Sequence, residues 1–195
     1  MDGAMTGPLR LDGARVVLRE FGHGHMRDPA YRGWLRDPDV VGTLNLPAYL
    51  AAPVSVAEIE SYCARVMASP TDLFLAIHDG EVFVGTIKAG GIDRYAGHAD
   101  IGIMIGRKDR WGQGLATDAI ATLCRHLFEA EGLRRLTAGS MATNPGMIRV
   151  FEKLGFRREG VFREQDRVSE TEYCDHIHLG CLRGEFTPPE GRVQS

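Results

Sequence analysis

Long apolar runs are absent from this 195-residue chain, and their absence removes a class of proteins. No stretch approaches the roughly 20 consecutive apolar residues that a membrane-spanning helix requires. The first residues carry no basic-then-apolar pattern of the secretory kind, so a cytoplasmic protein is expected. Cysteine is scarce: Cys63, Cys124, Cys174 and Cys181 show no Cys-x-x-Cys spacing and read as reduced core residues rather than a disulfide framework. Positive charge is not in excess either. With 23 Lys and Arg against 26 Asp and Glu, the net charge of −3 argues against a nucleic-acid partner. No internal repeat is visible. What the chain does have is 44% hydrophobic residues, enough for one domain with a sizeable core.

The most telling segment reads Arg110-Trp111-Gly112-Gln113-Gly114-Leu115-Ala116-Thr117-Asp118-Ala119. A small-residue turn opens into a helix, and residues 99–105 before it read as a strand. Helix starts leave about four backbone N–H groups without partners, with partial positive charge from the helix dipole. Gly112 and Gly114 would let a phosphate approach those groups closely, and Arg107, Lys108 and Arg110 crowd the same entrance. Two familiar phosphate loops do not fit. A P-loop needs Gly-Lys-Ser/Thr, and here Leu115 and Ala116 follow Gly114. A dinucleotide fingerprint needs a third small residue where Thr117 stands, and a closely preceding strand. A tight strand-to-helix turn with no ligand is the competing reading.

Around this segment the pattern gives a strand over residues 14–19, a helix over residues 25–36 stopped by Asp37-Pro38, and a loop over residues 41–53. Ser55 and Glu58 form a capping box for a helix whose Ile59, Tyr62, Cys63 and Val66 share a face. Two alternating strands flank Asp79-Gly80, a type I′ hairpin signal, and Gly90-Gly91 breaks the second. Leu115, Ala119, Leu123 and Leu127 mark the buried stripe of a helix over residues 115–130, ended by Gly132. A strand over residues 135–141, a helix capped by Asn144-Pro145 and ended by Gly155, and two last strands complete the order. That order is not the strict alternation of a doubly wound fold.

Residues 99–105 with residues 111–119 resemble motif A of the GNAT N-acetyltransferase superfamily. Leu136-Thr137-Ala138-Gly139-Ser140 and the run from Asn144 to Phe156 are similar to the same superfamily. The resemblance is to the branch of ribosomal-protein N-terminal and amino-sugar acetyltransferases, and it covers roughly residues 14–183. It implies a mixed α/β (α+β) fold: one domain over residues 14–183, with a twisted sheet of about six or seven strands and about four helices. Residues 1–13 and 184–195 are expected to be flexible tails.

The implied chemistry is acetyl transfer from acetyl-CoA to a primary amine, directly in a ternary complex, with no metal. Ile103, Met104 and Ile105 would pair with the pantetheine arm, and residues Arg110, Trp111, Gly112, Gln113, Gly114, Leu115, Ala116 and Thr117 would hold the pyrophosphate. Asn144, a cap in any case, and Lys153 join the coenzyme contacts. Period two puts Asp100, Gly102 and Met104 on one strand face, opposite Ile101, Ile103 and Ile105. Asp100 is the candidate base, a solvated structural Asp being the alternative, and a backbone N–H near Met104, where the superfamily's strand bulges, the oxyanion donor. Phe151 stands where many members carry an acid tyrosine. Trp34, Lys88, Tyr173, Asp175 and His176 are candidates for the acceptor pocket, although Lys88 also reads as an ordinary exposed lysine. A nucleotide-linked amino sugar or another small amine is the expected acceptor, a protein N-terminus the alternative, and a non-catalytic acyl-CoA-binding module the rival class. A homodimer is compatible with these features.

Overall fold

The computed structural model describes residues 7–42, 44 and 54–189. Two strands, β1 (Arg10–Asp12) and β2 (Val17–Glu20), open the fold. Helices α1 (His23–Arg27), α2 (Pro29–Trp34), α3 (Pro38–Val41) and α4 (Val56–Met67) follow. Then come β3 (Leu73–Asp79), β4 (Val82–Asp93), β5 (His98–Ile105), α5 (Leu115–Glu129), β6 (Arg135–Met141), α6 (Pro145–Lys153), β7 (Arg157–Arg167) and β8 (Tyr173–Leu182). The strands form one sheet in the order β1-β2-β3-β4-β5-β6-β8-β7. Only the β5–β6 pair is parallel among the described strands.

The mixed α/β architecture is as expected, with more strands and helices than the sequence pattern suggests. The helix expected over residues 25–36 is two helices. Asp28 precedes Pro29, which keeps it extended, and its carboxylate caps α2 by accepting from Ala30 N at 2.8 Å. The expected first strand is a hairpin, because Arg10–Asp12 pairs with residues 17–19. Three residues are too few to show a period. At the β3–β4 turn Asp79 pairs with Val82, and only Gly80 (φ +61°) has positive φ, the pattern of type II′ rather than I′. Gly90-Gly91 bends β4 in a bulge without ending it. Ser55 and Glu58 form the expected capping box. The loop expected over residues 41–53 lies largely outside the described residues. Past residue 183 the chain stays docked: Phe186 packs on Phe128 at 5.5 Å, and Thr187 N donates to Leu154 O.

Each sheet face carries its own core. On one, Leu18, Ile77, Ile87 and Ile101 pack under α5 and α6 with Leu123, Leu127 and Phe151. On the other, Phe74, Ala76 and Met104 meet Phe21 from the link before α1 and Tyr31, Trp34, Ile59 and Cys63 from the N-terminal helices. Cys63, Cys124 and Cys181 are buried and all four cysteines are free thiols. Burial pushes the Cys181 thiol up to about 11, so it stays protonated and unreactive.

Candidate active site

The turn between β5 and α5 is built on two left-handed glycines, Gly112 (φ +73°) and Gly114 (φ +82°). Gly114 is the N-cap of α5 and offers no side chain, so the first-turn N–H groups at Leu115, Ala116 and Thr117 have no side-chain cap. The Leu115 side chain is core, leaving only its backbone available. Gln113 closes the turn by donating to Asp109 O at 2.8 Å, and Trp111 Nε1 donates to Ile105 O at 2.8 Å. The Ile105 carbonyl, expected to serve the pantetheine arm, is therefore engaged within the chain.

The three basic residues expected at this entrance are neutralised by acids. Arg107 pairs with Asp109, Lys108 with Asp37 and Asp39, and Arg110 with Asp79 at 2.7 Å. The partners of Lys108 and Arg110 lie up to 71 positions away in the sequence, beyond any local pattern, whereas the partner of Arg107 is two positions on. The cation at the turn is instead Arg15, whose guanidinium donates to Gln113 O and has no carboxylate partner among the described residues. Asp118, in the first turn of α5, holds that segment by accepting from Ala14 N (3.1 Å), Arg15 N (2.7 Å) and Val16 N (2.9 Å). Neither Arg15 nor Asp118 was legible as a site residue, because the contacts that bring them together span about 100 positions of sequence.

Above the turn the sheet parts. β5 and β6 pair only from His98/Arg135 to Ile101/Ala138, so Gly102 to Ile105 and Gly139 to Met141 face each other without a ladder. Asp100 stands at the edge of this opening, exposed, accepting from Thr137 Oγ1 at 2.8 Å. Surrounding protein raises its pKa, against the opposing pull of Thr137, His178, Lys88 and His176. Lys88 pairs with Gly102 across β4–β5 and has no carboxylate in ion-pair range among the described residues.

His176 and His178 share the Asp100 face, with ring centroids 5.0 Å apart. His176 Nδ1 lies 2.7 Å from Asp166 Oδ2, and Asp166 is 1% exposed. Asp166 reaches this place through a bulge. Between the pairs Phe162/His176 and Asp166/Cys174, three residues of β7 face one of β8. Glu164 in that bulge has φ +52°, the one positive φ outside glycine among the described residues, and donates its N–H to Asp175 Oδ1 at 3.0 Å. The two-residue excess keeps Asp166 on the face that alternation gives it but moves it two positions along β8, from opposite Glu172 to opposite Cys174, so the sequence did not place it beside His176.

Other expectations need correction. Trp34 is buried, its ring against Gly106 and 4.9 Å from Phe83, so it is core and does not line a pocket. Tyr173 and Asp175 lie four and two residues from Ile177 and share its face, opposite His176, and Asp175 is used by the bulge. Met104 is buried, and the β4–β5 register is regular from Gly90/Asp100 to Gly85/Ile105, so β5 has no bulge at Met104. The side chains of Ile103 and Ile105 pack on the core, which leaves their backbone. Asn144 caps α6 by accepting from Met147 N at 3.2 Å. Lys153 is exposed at the far end of that helix, about 13 Å away at 1.5 Å rise per residue. Phe151 is 1% exposed against Phe156 and brings no proton to the site.

A strand-turn-helix with a bare N-terminus, next to a sheet that parts, is accompanied by clear likeness to known proteins. The acetyltransferase (GNAT) domain model matches residues 15–157, and the chain belongs to that family. It is an acetyl-CoA-dependent N-acetyltransferase. Among curated proteins it is 25% identical over 133 residues to the uncharacterized N-acetyltransferase p20 of Bacillus licheniformis, covering 68% of this chain and 74% of that one. The fold is similar to a spermidine N-acetyltransferase from Vibrio cholerae solved with CoA and spermine (TM-score 0.78, 18% identity, 88% of this chain and 98% of that one). It is also similar to a GNAT-family acetyltransferase from Bacillus anthracis (TM-score 0.74, 20% identity, 91% and 100%). At these identities the two structures speak to the fold alone.

Proposed function

We propose that the chain moves acetyl from acetyl-CoA directly to the primary amine of a small molecule. The observation that carries this reading is the parting of β5 from β6 beyond Ile101 and Ala138, beside the uncapped start of α5. The coenzyme diphosphate lies on the N–H groups of residues 112–117 with Arg15 beside it, and the thioester enters the opening. Both substrates then meet in one complex, which replaces a bimolecular encounter by a positioned one. Asp100 holds the acceptor ammonium at the edge of the opening and so positions it for its deprotonation. The acceptor is an amino sugar carried on a nucleotide, with Lys88 as the cation for its phosphates. A polyamine is the second class, favoured by the Asp100 carboxylate, which faces the opening.

Release of CoA thiol is to be followed with a nucleotide-linked amino-sugar panel, spermidine and short peptides. Turnover of an amino sugar, with its KM raised at least tenfold by Lys88→Ala, is expected. Turnover of spermidine alone, indifferent to Lys88, replaces the first acceptor class by the second. Efficient turnover of peptides alone replaces both. Coenzyme binding has its own test. Gly114→Asp sets a carboxylate at the turn, within reach of Arg15 Nη1, 3.5 Å from the Cβ position. Aspartate tolerates left-handed backbone better than most residues, so the variant should fold. Acetyl-CoA affinity is expected to fall at least tenfold by calorimetry, or more than about 1.4 kcal/mol. Unchanged affinity in the folded variant removes the turn from the site.

A further inference from the structure

We propose that His176, oriented by the buried Asp166, is the group that takes the proton from the acceptor ammonium. The proposal rests on the acetyltransfer reading above and assigns a residue to its proton step. Four observations converge. Asp166 Oδ2 lies 2.7 Å from Nδ1 of His176, and an ionised carboxylate can only accept there, which leaves Nε2 as the lone-pair nitrogen of the neutral ring. The ring lies over Gly139, since a Cβ there would meet Nε2 at 2.1 Å. Gly139 is the first β6 residue beyond the last β5–β6 pair, so Nε2 lies beside the opening. Finally, the β7 bulge with its left-handed Glu164 is what carries Asp166 under the ring.

An isolated carboxylate is a poor match for an ammonium, and an imidazole held by a carboxylate is a better one. Asp166 Oδ1 is buried without a hydrogen-bond partner among the described residues, so the carboxylate has few donors there besides His176. Its charge is directed at the imidazolium that forms. The step balances without a co-reactant. Nε2 takes one proton from the ammonium, and the freed lone pair forms the C–N bond at the thioester carbonyl. The C–S bond breaks with its electron pair on sulfur. The sulfur takes the second amine proton, and His176 returns its own to solvent.

The charged and titratable groups around His176 are Asp166 from β7, Cys174 and His178 on its own strand and Asp100 from β5, with Lys88 of β4 acting through Asp100. β6 contributes Thr137, Gly139 and Met141, which do not titrate. The pH profile of kcat, at saturating acetyl-CoA and the fastest acceptor of the amine panel, distinguishes this dyad from a structural pair. His176→Gln is expected to lower kcat about 100-fold and to abolish the acid limb, with acetyl-CoA affinity within about twofold of wild type. Asp166→Asn keeps the shape, lowers kcat at least tenfold and moves the limb to lower pH. Added imidazole restores activity to His176→Ala, a rescue that a structural role would not give. Nitrogen-15 spectra of the unliganded protein, independent of any acceptor, are expected to find the neutral His176 proton on Nδ1. A limb that survives His176→Gln with kcat within about threefold overturns the proposal, as does a proton on Nε2. A wild-type protein that releases no CoA with any amine overturns the acetyltransfer reading itself. An active wild type with an indifferent His176→Gln overturns the dyad alone.

Discussion

Asp100→Asn is expected to lower turnover about 100-fold while leaving acetyl-CoA affinity unchanged. Asparagine keeps the oxygen that accepts from Thr137 Oγ1 and removes the charge that holds the ammonium. The same substitution has an opposite effect on stability. Surrounding protein raises the Asp100 pKa above its ordinary 3.8, so the folded state disfavours the carboxylate. With a raised folded pKa, the folded state binds the proton more tightly than the unfolded one. Relative stability is therefore highest below 3.8 and is lost as pH rises through the folded pKa. At pH 7 the wild type carries that cost and the Asn variant does not. Thermal melting should find the variant at least as stable as wild type at neutral pH. The difference should vanish in acid, where both side chains are neutral. The side chain is exposed, so solvent screening keeps the gain small. A variant that loses both turnover and neutral-pH stability would mark Asp100 as a structural residue. The acid limb of kcat should survive in this variant, in contrast to His176→Gln.

What the sequence revealed of this site follows the range over which its signals act. Gly112, Gly114 and the Leu115 stripe are local: one turn and one helical period, both found where the pattern put them. Asp100 needed only alternation along one regular strand, and β5 has no register shift between Asp100 and Ile105. The basic entrance failed because charge was read along the chain, and Asp37, Asp39 and Asp79 return to it through tertiary structure. Tyr173, Asp175 and His176 were grouped by nearness in sequence, although alternation alone separates the first two from the third. Asp166 was hidden for another reason. Its position depends on a two-residue excess in β7 that a hydrophobic pattern does not record, in a strand whose residues are mostly exposed. Arg15 and Asp118 were hidden because their contacts span about 100 positions.

Asp118→Ala is expected to be among the most damaging single changes to stability. Its carboxylate is buried and accepts three backbone N–H groups, from Ala14, Arg15 and Val16, at 2.7 to 3.1 Å. Hydrogen bonds to a charged acceptor contribute about 1.5–3 kcal/mol each, and at the part-buried N–H groups of Ala14 and Arg15, both exposed residues, water can replace the carboxylate after truncation. Val16 is 1% exposed, so its N–H would be left without a partner. The aspartate also sits in the first turn of α5, where negative charge favours the helix dipole. A net loss of about 3 kcal/mol follows, which for a domain of this size lowers Tm by about 6–12 °C. The loss has a functional counterpart, because the same carboxylate fixes the backbone from which Arg15 reaches Gln113 O. Acetyl-CoA affinity should therefore fall together with Tm, and saturating acetyl-CoA should recover part of the lost Tm by binding only the folded form. Melting curves with and without the coenzyme measure both effects. A Tm within about 2 °C of wild type would mean that water replaces the carboxylate at all three N–H groups. A lowered Tm with unchanged affinity would detach Arg15 from the coenzyme, leaving Asp118 as a clasp between the first strands and α5 and nothing more.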